Sequence, residues 1–115
     1  MGPVMKISQA SEQTGLSAHT LRYYEKLGFV EPRKDSIGYR DYSSHDVDLL
    51  NWIACLKKSG MTLESIKHYV HVARSANHTE QAALLDVHLE KLYQQQKDIE
   101  HYIQVTKDKI RTLHA

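Results

Sequence analysis

Near the end of the chain Leu85, Leu89, Leu92, Gln96, Ile99, Ile103, Thr106, Ile110 and Leu113 follow one another by alternating steps of four and three residues. That spacing is a heptad seam on one long helix. Seven of its nine positions are Leu or Ile. The seam runs over 29 residues, or roughly 43 Å at the helical rise. An amphipathic helix folded back on its own domain is the plain alternative. A strict 3.5-residue period over this length is better met by a partner helix, and the front of the chain is too short to cover all of it. The seam therefore predicts a homodimer through this helix. Gln96 and Thr106 weaken the seam and can fix its register or orientation.

What precedes the seam is limited by size. A chain of 115 residues holds one small core and an appendage, not two full cores. Hydrophobic residues are 41% and charged residues 25%, which argues against disorder and a membrane protein. No apolar run approaches the roughly 20 residues that span a bilayer. Nor does the start carry the basic head and apolar core of a signal peptide. A single cysteine excludes an internal disulfide framework and a multi-cysteine zinc site, and a cytoplasmic setting is expected. Fifteen Lys and Arg stand against fourteen Asp and Glu. A strongly basic footprint for nucleic acid is thus absent, and any case for DNA rests on local placement.

Residues 1–4 read as a remnant or short extension, with Met5 a native start. A first helix is expected from Ser8 as N-cap to Gly15. Ser17 then caps a second, Ala18 to Leu27, with Leu16 and Leu21 spaced as a hydrophobic staple. Two short helices around a tight glycine turn read as helix-turn-helix. Residues 29–32 and 39–42 look extended around a polar turn at 33–38: a wing with basic residues at its tip. Ser44 is expected to cap a third helix to Ser59, and Thr62 a fourth to Arg74. Residues 75–78 read as a loop, and Thr79 as the cap of the last helix.

The run Ser17-Ala18-His19-Thr20-Leu21-Arg22-Tyr23-Tyr24-Glu25-Lys26-Leu27-Gly28-Phe29, followed by Gly38-Tyr39-Arg40-Asp41-Tyr42, closely resembles the signature of MerR-family transcription regulators. Ile7-Ser8 through Thr14-Gly15 resembles that family's first helix. Leu56 through Ile66 resembles the junction of its third and fourth helices. The resemblance implies a mainly α fold: a winged helix-turn-helix DNA-binding domain with two accessory helices, residues 5–75. A long C-terminal dimerisation helix follows at 79–115, paired as an antiparallel coiled coil. It implies double-stranded promoter DNA and RNA polymerase as partners; no cofactor is expected, and no enzyme either, since no set of nucleophile, base and orienting group is visible. Such regulators bind promoters with an overlong spacer and distort them.

Residue chemistry agrees with that implication. A recognition helix presents its N-terminal side chains to base edges, where His19 stands, and Thr20 and Arg22 can reach bases or phosphates. Tyr23 and Tyr24 point in different directions, so one can pack while the other offers its hydroxyl to phosphate. Ser17 offers a hydroxyl and helix N-terminal N–H groups. The wing supplies Arg33, Lys34, Tyr39 and Arg40. Each has a plainer reading too: Tyr23 as core, or Arg22 paired with Glu25 across one helical turn.

Cys55 falls outside the apolar arc of the third helix, with Lys58 at i+3, where a nearby ammonium favours thiolate. An inert cysteine tucked under a neighbouring helix is the alternative. The run Ile53 to Gly60 resembles the AdhR/NmlR subgroup of the family, associated with reactive aldehydes and other thiol-modifying electrophiles. That resemblance makes Cys55 a candidate sensor thiol. The family's thiolate metal sensors carry cysteines around the long helix, and this chain has none there. Its drug-binding members carry a further domain, which a chain ending at Ala115 does not include. His68, His71 and His78 could approach a metal, but the ligand set is incomplete, so no metal is expected. The rival from another class is a coiled-coil interaction adaptor whose helix-turn-helix is only scaffold.

Overall fold

The computed structural model describes residues 5–115, so the reading of residues 1–4 lies outside the described residues. Gly15 takes φ +71°, a left-handed conformation that costs little without a Cβ. It ends α1 (Ile7–Thr14) and lets the chain turn into α2 (Ala18–Lys26) within three residues. Ser17 caps α2 by accepting the Thr20 N–H at 3.1 Å. Leu21 is fully buried, and Leu16 is half-buried.

The first cap differs from the expectation. Lys6, not Ser8, precedes α1, and its N–H donates to Gln9 Oε1 at 3.0 Å. A side-chain amide three residues inside the helix thus takes up one of the terminal N–H groups.

The wing is displaced as well. Strands β1 (Arg33–Lys34) and β2 (Arg40–Asp41) pair antiparallel, with Arg33 opposite Asp41 and Lys34 opposite Arg40. Arg33 and Lys34 are therefore strand residues and not the tip. The tip is the Asp35–Tyr39 turn. One Asp35 carboxylate oxygen accepts the N–H groups of Ile37 at 3.0 Å and Tyr39 at 2.9 Å, while Asp35 N–H donates to the Tyr39 carbonyl at 2.7 Å. Phe29 and Val30, expected in a strand, are buried in the core instead. Pro32 has no N–H to give a ladder.

Helix α3 (Ser44–Lys58) starts one residue earlier than expected, with Ser43 as its cap. Ser43 Oγ accepts the Asp46 N–H at 3.0 Å, and Asp46 accepts the Ser43 N–H at 2.9 Å. Ser44 has only Val47 at the corresponding position, which cannot reciprocate. Val47, Leu50, Ile53, Ala54 and Leu56 form its buried face, and α1 packs on both α2 and α3. Thr62 precedes α4 (Leu63–Arg74) as expected and accepts the Ser65 N–H at 3.1 Å. Met61 and Ile66, the expected staple, are both buried. Trp52 Nε1–H donates to the Tyr69 hydroxyl at 3.2 Å, joining α3 to α4.

The chain divides into two compact units, one through His71 and the other Val72–Ala115. The second is dominated by α5 (His78–His114). Asn77, not Thr79, caps it. Its side chain accepts the Glu80 N–H at 3.1 Å and donates to Glu80 Oε2 at 3.2 Å, so the preceding loop is shorter than expected. No helix of the described residues is long and apolar enough to cross a membrane.

Candidate nucleic-acid interface

Helix α2 separates its two adjacent tyrosines cleanly. Tyr24 is only 6% exposed, with its ring centroid 5.3 Å from that of Phe29. Burial, and secondarily Tyr23, raises its phenol above the ordinary range. Tyr23 is 44% exposed. The resemblance favours Tyr24 as the DNA contact and the plainer reading makes Tyr23 core; the structure reverses this, because Tyr24 packs against Phe29 and Tyr23 turns outward.

His19 and Arg22 are exposed on the same helix, and Thr20 is half-buried. The Ser17 hydroxyl is already engaged: it accepts from Thr20 N–H and donates to Thr20 Oγ1 at 3.0 Å. What remains there for an anion is the helix N-terminus itself.

On the wing, Arg33, Lys34 and Tyr39 are exposed and Arg40 is half-buried. Arg40 is ion-paired with Glu25 of α2. The pairing considered for Glu25 within its own helix is thus replaced by a longer-range one. Tyr42 lies below, 2% exposed, with a hydroxyl that has no hydrogen-bond partner among the described residues. Burial foremost, then Glu25, raises its phenol, against smaller opposing effects of Arg40 and Arg22.

Lys6, Ile7, Ser8, Arg22, Tyr39 and Arg40 line a hollow of about 330 Å³ between α1, α2 and the wing. Lys6 was not singled out from the sequence. Its placement comes from contacts remote in the chain. Met5 N–H donates to Asp41 Oδ1 at 2.9 Å, and Tyr42 N–H donates to the Met5 carbonyl at 2.8 Å. The Lys6 ammonium then sits 5.7 Å from the Tyr39 ring centroid. No periodicity or cap signal carries such a placement.

Cys55 is exposed, not tucked under a neighbour. With Thr14, Asn51, Ala54, Lys58 and Ser59 it lines an open depression of about 480 Å³. Among the described residues no group of three His, Cys, Asp or Glu is placed to hold a metal ion.

The seam of α5 is open. Leu89, Ile99, Ile103, Ile110 and Leu113 are all among the exposed large hydrophobic residues, with Ile99 at 56% and Ile103 at 49%. Leu85 and Leu92 are half-buried, and Gln96 and Thr106 are exposed.

Comparison with known proteins agrees with this geometry. The family described as MerR HTH family regulatory protein matches residues 5–72. The uncharacterised HTH-type transcriptional regulator YyaN of Bacillus subtilis (strain 168) is 34% identical, with 95% of this chain and 90% of that protein aligned. The HTH-type transcriptional regulator AdhR of the same organism is 39% identical over 68% of this chain and 56% of its own length. Among solved structures, HiNmlR, a MerR family regulator lacking the sensor domain, bound to promoter DNA, superposes with a TM-score of 0.80 at 28% identity, covering 89% of this chain and 80% of that one.

Proposed function

The chain belongs to the MerR family of helix-turn-helix regulatory proteins, DNA-binding transcription factors and not enzymes, and on that premise we propose that it acts as a homodimer on a palindromic promoter operator. The observation that carries this reading is the exposed His19, Arg22 and Tyr23 of α2 together with the exposed Arg33, Lys34 and Tyr39 of the wing, with Arg22 and Tyr39 lining one hollow. Helix α2 enters the major groove with His19 toward base edges, and with Thr20 and Arg22 toward bases or the adjoining phosphates. Ser17, Tyr23, Arg33, Lys34, Tyr39 and Arg40 serve the phosphate backbone, and Tyr24 acts through packing that orients α2. The open seam from Leu85 to Leu113 supports pairing of two α5 helices, which sets the separation of two reading heads. RNA polymerase is the partner at the distorted promoter. Bending such a site costs several kcal/mol, to be offset by contacts from the wing and α4.

Cys55 is the trigger in this reading, modified by thiol-reactive electrophiles such as aldehydes. Its exposure and the open depression beside Lys58 support access of a small reagent. Modification shifts the dimer between two arrangements.

The test is a shift assay on the DNA upstream of the chain's own gene, titrated with salt, with and without an aldehyde. Binding that weakens steeply with salt is expected from counterion release. Absence of salt-dependent binding favours the adaptor reading. A promoter response fully retained by Cys55→Ser removes the sensor role.

A further inference from the structure

We propose that the hollow between α1, α2 and the wing is a phosphate-binding subsite of the DNA interface, and that Lys6 is its principal cation. The inference rests on the DNA-binding reading and adds a residue ahead of the first helix to it.

Three cationic side chains, Lys6, Arg22 and Arg40, converge on this hollow together with the Ser8 and Tyr39 side chains. Arg40 has an acidic partner, Glu25. Lys6 and Arg22 have none among the described residues. Two uncompensated positive charges at one hollow favour an anion, and charge-assisted hydrogen bonds to phosphate oxygens are the strong kind.

Lys6 is also held in place. The Met5–Lys6 segment is clipped to the wing through Asp41 and Tyr42, at 2.9 and 2.8 Å, and to α1 through Gln9 at 3.0 Å. Its ammonium lies over the Tyr39 ring. An exposed lysine normally gives up side-chain freedom on binding; this one has a rigid root and an aromatic rest. The hollow opens between the recognition helix and the wing, where a duplex backbone passes when α2 lies in the groove.

The experiment compares wild type, Lys6→Gln and Lys6→Arg by fluorescence anisotropy on operator and unrelated duplexes across a salt series. The thermal midpoint of each variant is checked first. For K6Q the slope of log affinity against log salt becomes shallower by about 0.9 per subunit. Affinity falls alike for operator and unrelated duplex, because phosphate contacts do not read sequence. K6R keeps the wild-type slope. Wild-type binding with an unchanged K6Q slope overturns the subsite alone. A wild type without salt-dependent binding overturns the regulator reading and the subsite with it. A K6Q loss confined to the operator also overturns the proposal, since it assigns Lys6 to base reading.

Discussion

The Arg40 guanidinium on β2 closes on the Glu25 carboxylate of α2, so an ion pair ties the wing to the recognition helix across fifteen positions of chain. Both side chains are partly exposed, so the pair contributes under about 1 kcal/mol to stability. Its larger consequence is orientation. Glu25→Gln frees Arg40 and adds one positive charge per subunit at the interface. Operator affinity is expected to fall several-fold as the wing loses its fixed angle, while affinity for unrelated duplex holds or rises. Anisotropy on both duplexes checks this; a preserved specificity ratio would show that the pair does not orient the wing.

Where a local signal existed, the sequence was enough to find the element. Ser17, Thr62 and the heptad seam each depend on neighbours within one or two turns, and the helices they predict are present. The misplaced caps lost to reciprocal partners: Ser43 has Asp46, and Asn77 has Glu80, where Ser44 and Thr79 have none. The wing was misplaced because a single Asp35 carboxylate builds the turn, while Phe29 and Val30 obey burial before strand propensity. Lys6 was invisible for a different reason. Its position depends on a bond between Met5 and Asp41, 36 residues apart. Patterns in a short window do not see such a pairing.

Tyr42, which follows β2, offers a test of one buried polar atom. Its hydroxyl is buried without a partner among the described residues. Tyr42→Phe removes an unsatisfied polar atom and little volume, so stability is expected to rise by about 1 kcal/mol in urea titration. Burial and Glu25 raise its phenol, so the fold favours the neutral form. That stability is intact below the ordinary tyrosine pKa of 10.0 and is lost as pH rises through the raised value. Thermal midpoints of wild type should therefore fall above about pH 10. Y42F should fall less steeply, with a residual slope from Tyr24, whose phenol is also raised.

Ile103 sits in the seam at 49% exposure, beside Ile99, Tyr102, Thr106 and Lys107 in a shallow apolar groove. Ile103→Asp places a charge in the proposed helix pair, where desolvation opposes it. Wild type should sediment as a dimer at micromolar concentration, and I103D as a monomer with unchanged helical signal per residue. Losing the second reading head should weaken operator binding by about 100-fold or more. A dimeric I103D would move the interface away from α5.

Gln96 and Thr106 both interrupt the seam, but they do not cost it equally. The Thr106 hydroxyl donates to the Tyr102 carbonyl of its own helix at 2.7 Å, so it needs nothing from a partner. Its methyl is left for packing. No such bond engages the Gln96 side chain among the described residues, so its amide must be met across the helix pair or stay unsatisfied there. Gln96→Leu should therefore tighten the dimer by about 1–2 kcal/mol through apolar burial, a fall in dissociation constant of roughly 5- to 30-fold by sedimentation. Thr106→Val should change it less than about threefold. A polar seam residue selects one register among several that an all-apolar seam tolerates. The tighter Q96L dimer is therefore expected to bind operator no better than wild type, because helices free to slip no longer hold the two heads at one spacing. A Q96L variant that dimerises more weakly would instead mean that Gln96 makes a hydrogen bond across the pair worth more than leucine's burial.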